Sequence, residues 1–193
     1  AAPLFALAAA APPSVPPPGS AVLFNGRDLA GWTVFLQDPA VAPGAIWSVS
    51  DGVLSLAGRP NGYLRTERTF SDYHLHVEWR WPAGASPRSN SGVFVHVQGP
   101  DAIWPAGVEC QLQAGNAGQL VGTGVALPGA PIVNRKPRAP RLAASSERPA
   151  GEWNAYDIYC RGDTIEVLVN GVRQNRVANV SGVAGAIGLQ MEG

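Results

Sequence analysis

From residue 21 onward, apolar and polar residues alternate in short runs, each bounded by Gly, Pro, Asn or Asp. A period of two is the signature of a strand, because successive strand side chains point to opposite faces. The pattern predicts strands over 47–49, 53–56, 63–66, 73–81, 92–97, 108–113, 156–160, 164–169, 172–177 and 186–190. Turn signals stand between them at Asp51-Gly52, Asn61-Gly62, Gly162-Asp163 and Asn170-Gly171. Asn170-Gly171 is the strongest, since a tight hairpin needs positive φ at both central positions. No 11-residue window carries a 3.6-residue apolar stripe. Many short antiparallel strands in one unit predict a sandwich or barrel. Residues 114–151 read as long loops with one or two short strands, such as 119–121. Loops of that length in a compact unit are functional or mobile.

The alternation also sorts residues by face. In 73–81, Leu75, Val77, Trp79 and Trp81 share one face, with His74, His76, Glu78 and Arg80 on the other. In 92–97, Val93, Val95 and Val97 face the expected core, and Phe94 and His96 face away. In 108–113, Val108, Cys110 and Leu112 face inward, and Glu109, Gln111 and Gln113 outward. The polar set could be an ordinary wet sandwich face. However, all three histidines of the chain fall on it, beside Glu, Gln and Arg rather than Thr, Ser and Lys. Phe94, Trp104 and Tyr63 lie near in sequence, and aromatics beside hydrogen-bonding side chains suit a sugar ring. The polar face is therefore expected to line a cleft for carbohydrate.

Composition narrows the classes. The 193 residues suit one domain with a tail. Fourteen basic and fourteen acidic residues give no net charge, so nothing draws in nucleic acid or an anionic membrane. Charged residues are 15%, against about 25% usually, while 23 Gly and 18 Pro mark frequent turns. Residues 1–20 hold seven Ala and six Pro. Residues 1–11 resemble the end of a signal-peptide apolar region, and 12–20 a stiff Pro-rich linker. A low-complexity cytoplasmic tail is the alternative. No stretch reaches the roughly 20 apolar residues of a membrane span. The expectation is an exported domain, periplasmic or extracellular, over 21–193. Cys110 and Cys160 both fall in core-facing phase, as buried thiols or as a disulfide.

Common catalytic signatures are missing: there is no GxSxG, HExxH, GxxxxGK[ST] or GxGxxG. Glu78 and Glu109 are the only in-phase acids on the central strands, which gives little support to an ordinary two-carboxylate glycosidase. Trp104, in a Pro-bounded loop, is a packing lid or a stacking platform. Arg135, Lys136, Arg138 and Arg141 form a basic run broken by Pro and read as a solvated loop.

Seven segments, LFNGRDLAGW, WSVSDGVL, PNGYLRTERTFSDYHLHVEWRW, SNSGVFVHV, IWPAGVECQLQAGNAG, GEWNAYDIYCRGDTIEVLVNG and GAIGLQMEG, occur in an order that resembles the 3-keto-disaccharide hydrolase domain family. The resemblance covers residues 22–193 and implies an all-β, concanavalin A-like jelly-roll sandwich of two antiparallel sheets. It also implies action on 3-keto-glycosides, sugars already oxidised at C3. Two departures stand out. Relatives often carry Asp after the Gly-Asn-Ala-Gly segment, where this chain has Gln119, so a role carried by that Asp would be altered here. Relatives also continue past the final Glu-Gly with a further strand, so a sheet with an open seam is expected.

In the implied chemistry, a base removes the C2 proton, an enolate develops at C3, the C1 substituent leaves and water adds. This assigns His96 and Glu109 as base and acid, in either order. Gln111, Arg80 and His76 would bind hydroxyls or the enolate, and Asn61, Tyr63, Asn90 and Trp104 would line the rim. A divalent metal held by His96 and Glu109, with His76 helping, is an alternative use of the same residues. Other functions remain open. One is a non-catalytic, lectin-like carbohydrate-binding module on the same sandwich, and a more distant one is a structural domain of an envelope complex.

Overall fold

The computed structural model describes residues 5–8, as backbone, and 19–192. The Pro-rich linker and the rest of the suggested signal remnant lie outside the described residues. The elements are β1 Phe5–Ala8, β2 Trp32–Leu36, a 3-10 turn Pro43–Ala45, β3 Trp47–Ser50, β4 Val53–Leu56, β5 Gly62–Thr66, β6 Tyr73–Arg80 and β7 Gly92–Gln98. They continue with β8 Ala106–Gln111, β9 Leu120–Thr123, β10 Ile132–Val133, β11 Lys136–Ala139, β12 Asn154–Arg161, β13 Thr164–Val169, β14 Val172–Val177 and β15 Ala186–Met191. No helix among the described residues is long and apolar enough to cross a membrane.

The strands form two antiparallel sheets. One is ordered β14-β13-β12-β6-β1-β4-β3 and the other β10-β11-β9-β8-β7-β15-β5-β2. Strand order jumps along the chain, as in a jelly roll rather than a meander. The inward positions that the alternation predicts meet in one core: Leu75, Val77, Trp79 and Trp81 from β6 and its exit, Val93 and Val95 from β7, and Val108 and Cys110 from β8. Cys110 and Cys160 are buried and free. Phe5–Ala8 stands between β4 and β6 and pairs with both, so the two strands are bridged by a segment that the sequence reading leaves in the tail.

Turn chemistry explains much of the register. Asn170 and Gly171 both have positive φ, as do Asp51 and Gly52. In each case the turn joins directly opposed strands, β13 to β14 and β3 to β4. Asn61-Gly62 is not a hairpin turn. Gly62 opens β5, where a Cβ would lie 2.3 Å from the Phe35 carbonyl oxygen, so glycine is needed there for close approach of β2.

One alternation breaks. β7 carries a bulge after Val95, and His96 sits at φ 56 within it. The extra residue swaps the faces beyond it. His96 therefore turns inward, edge-on to Tyr73 at 5.9 Å, while Val97 turns outward onto Tyr63, Phe94 and Ala186. Both are corrections to the expected faces.

Candidate active site

The outer face of the eight-stranded sheet gathers the chemistry in cross-strand rows. One row runs Arg65, Gly188, Phe94, Glu109, Val121, Arg138 across β5, β15, β7, β8, β9 and β11. Alongside it, Tyr63 faces Gln190 and Gly92 faces Gln111. Asn90, just ahead of β7, bridges to Glu192, just past β15. Gly188, Gln190 and Glu192 thus share one face of one strand.

Gly92 makes the arrangement possible. A Cβ there would lie 2.8 Å from the Glu109 Cγ, 2.9 Å from its Oε1 and 3.1 Å from the Gln190 Oε1. The missing side chain leaves room for the carboxyl and the amide to lean over the strand together. Glu109 is 6% exposed and Gln190 1%. Neither Glu109 Oε1 nor either amide atom of Gln190 completes a hydrogen bond within the protein, and Asn90 Oδ1 is also unsatisfied. Buried polar atoms without partners are costly in a fold and are common where a ligand is met.

Burial pushes the Glu109 carboxyl up to about 7, and the negative charge of Glu192 adds to the effect. Lys136, Arg138 and the nearby Gln190 amide oppose it. Glu192 is also raised by burial, against the same two cations. Burial lowers Lys136, and Glu109 and Glu192 resist that shift. A buried carboxyl poised near neutrality is suited to taking and giving protons.

An aromatic wall borders this group. Phe35 packs tilted on Tyr63, and Tyr63 meets Phe94 edge-on, with centroids 5.3 Å and 5.9 Å apart. Trp104 packs on the same cluster, and the Lys136 Nζ lies 5.0 Å from its ring centroid. The loop carrying Trp104 is tied down by Asp101, which accepts from the Tyr63 hydroxyl at 2.6 Å and from the Arg65 guanidinium at 2.8 and 3.1 Å. Beyond this tie lies an open depression of about 360 Å³, lined by Arg65, Thr69, Val97, Gln98 and Ala186 among others.

The sequence-selected residues divide accordingly. Glu109, Tyr63, Asn90 and Trp104 belong to this face, and Asn61 follows in register at its end, one place beyond the Gly62–Met191 pair. Gln111 is on the face, but its side-chain oxygen accepts the N–H groups of Leu112 and Gln113, so it shapes the end of β8. His96 is turned to the core. His76 and Arg80 are on the other sheet altogether. His74 and His76 each bond the same oxygen of Asp157 at 2.8 Å, and Arg80 lies over Trp153. The expected His96, Glu109 and His76 metal set is therefore not assembled. No group of three or more His, Cys, Asp and Glu among the described residues is placed to hold a metal ion.

Sequence reasoning missed Gly92, Gln190, Glu192, Lys136 and Arg138. Lys136 and Arg138 lie on β11 rather than in a solvated loop. Gln190 and Glu192 were within reach of the same alternation rule, extended two residues past the predicted end of the last strand. Gln119 accepts from an Arg138 guanidinium N–H at 3.3 Å, which holds that arginine beside the row.

The chain matches the 3-keto-alpha-glucoside-1,2-lyase-like domain over residues 19–193. It belongs to this family. No curated protein matches the chain. Among solved structures, two candidate glycosyl hydrolases from Parabacteroides distasonis are 20% and 19% identical, with TM-scores of 0.62 and 0.63. The first match covers 87% of this chain and 88% of that one, the second 90% and 87%. The carbohydrate-binding module CBM66 of Bacillus subtilis aligns at 10% identity and TM-score 0.57, covering 83% and 86%. At these identities the likeness establishes the concanavalin A-like jelly roll of the lyase-like domain.

Proposed function

We propose that this lyase-like domain cleaves 3-keto-glycosides by removing the C2 proton, eliminating the C1 substituent and hydrating the product. The observation that carries the reading is Glu109, a buried carboxyl held near neutrality beside Gln190, Glu192, Lys136 and Arg138 on one face of the sheet. A C3 ketone acidifies C2–H, so a carboxylate suffices as base where it would fail on an unoxidised sugar. The Gln190 amide offers an N–H to the developing enolate oxygen, and Lys136 offers positive charge. Trp104, partly exposed and backed by the buried Tyr63 and Phe94, supplies apolar surface for a sugar ring. The membership of the chain in the lyase-like family supports the substrate class.

The aromatic wall also suits a module that binds carbohydrate without turning it over. One assay separates the two: release of a chromogenic alcohol from a 3-keto-glucoside, with the unoxidised glucoside alongside. Release from the keto form alone is expected. Binding of both sugars with release from neither would replace the enzyme by the module.

A further inference from the structure

The two carboxylates of the face stand on either side of β7. Glu109 lies on β8 in the row of Phe94, and Glu192 follows β15 opposite Asn90, so the two are offset by two strands and two cross-strand rows, and the Glu109 side chain leans over Gly92 across part of that gap. Gly92 lies between them without a side chain. The two have different surroundings. Glu192 accepts a 2.7 Å hydrogen bond from the Asn90 amide, which favours its charged form. Glu109 Oε1 receives no hydrogen bond and sits deeper, which favours its protonated form. Two carboxyls whose surroundings differ in this way divide into a base and an acid.

Resting on the 3-keto-glycoside reading above, we infer that Glu192 is the base that removes the C2 proton and Glu109 the acid that protonates the departing C1 oxygen. In the first step the C2–H bond breaks, its proton goes to Glu192, and its electron pair forms C2=C3 with negative charge on the C3 oxygen. In the second, that charge re-forms the ketone, the pair moves to C1=C2, and the C1–O bond breaks. The leaving oxygen takes the Glu109 proton. Hydration runs the sequence in reverse: Glu109, now a carboxylate, takes a proton from water as its oxygen bonds C1, and Glu192 returns its proton to C2. Atoms and charge balance without any further reactant. Burial pushes both carboxyls up, Glu109 to about 7, which makes the Glu192 carboxylate a stronger base and keeps a proton available on Glu109.

The two roles separate on a 3-keto sugar that has no leaving group, 1,5-anhydro-3-keto-glucitol, incubated in heavy water. Exchange of its C2 hydrogen, followed by proton NMR, needs the base and not the acid. Wild type is expected to catalyse the exchange. Glu192→Gln should lose it by about 100-fold or more, Glu192→Asp should retain part of it, and Glu109→Gln should keep it within a few-fold. Glu109→Gln should in turn lose release of an alkyl alcohol, which needs protonation to depart, at least tenfold more than it loses release of nitrophenol from the matching 3-keto-glucoside. Full exchange by folded Glu192→Gln overturns the assignment, as does loss of exchange in Glu109→Gln alone. If wild type neither exchanges nor cleaves, the 3-keto-glycoside reading itself fails, and the assignment with it.

Discussion

The Glu109 carboxyl and the Gln190 amide converge over one glycine, with oxygens 2.9 and 3.1 Å from where a Gly92 Cβ would be. Gly92 has no left-handed φ, so alanine there is opposed by these side chains and not by the backbone. Both obstacles are the ends of flexible side chains. Gly92→Ala should therefore fold, at a cost of about 1–3 kcal/mol. The displaced carboxyl should lower turnover at least tenfold, roughly 1.4 kcal/mol of barrier, with a smaller change in KM. Thermal unfolding and steady-state kinetics on the same preparation would show whether activity falls further than stability.

Glu109 makes stability depend on pH. Its carboxyl is raised from 4.5 to about 7 by burial. The native state therefore holds this proton more tightly than the unfolded chain does. Its contribution is full below about 4.5 and is lost as pH rises through about 7, on the order of 3 kcal/mol in all. Glu109→Gln should flatten this fall and be more stable than wild type above pH 7. Denaturant titrations at pH 5 and pH 8 test it, and an unchanged slope in the variant would remove Glu109 as the cause.

His96 acts at the acid end. Burial lowers its imidazole below the usual value, against the opposing carbonyls of Gly182 and Ser71. The unfolded chain binds the proton first, so stability falls as pH drops below about 6.5, where a free histidine titrates. His96→Gln should weaken that acid dependence and leave turnover largely in place, since the ring faces Tyr73 and the core.

Asp101 fastens the loop that carries Trp104. Asp101→Ala would leave the buried Tyr63 hydroxyl without its 2.6 Å partner, costing about 1–3 kcal/mol. With Trp104 no longer pinned, KM for the sugar should rise more than kcat falls. Tyr63→Phe should be milder, because Arg65 still holds Asp101.

Arg80 and His76 provide the control. Both lie on the opposite sheet, Arg80 over Trp153 and His76 on Asp157. Arg80→Ala and His76→Ala should keep turnover within about twofold of wild type, since surface changes away from a site rarely exceed about 0.5 kcal/mol.

Alternation alone determined an all-β sandwich or barrel, and it placed Leu75, Val77, Trp79, Val93, Val108 and Cys110 inward, because a period of two has only one solution when one face must be buried. It also placed Glu109 on the outer face. It could not assign a face to a sheet. His76 and Glu109 are both outward, but on opposite sides of the molecule, and only strand order separates them. It could not foresee the bulge at His96, because one extra residue leaves no mark in the apolar pattern while reversing every side chain beyond it. The pairing of Glu109 with Gln190 and Glu192 joins residues more than 80 positions apart through β7. The tertiary structure decided it, since which strands become neighbours is set by how two whole sheets close over one core.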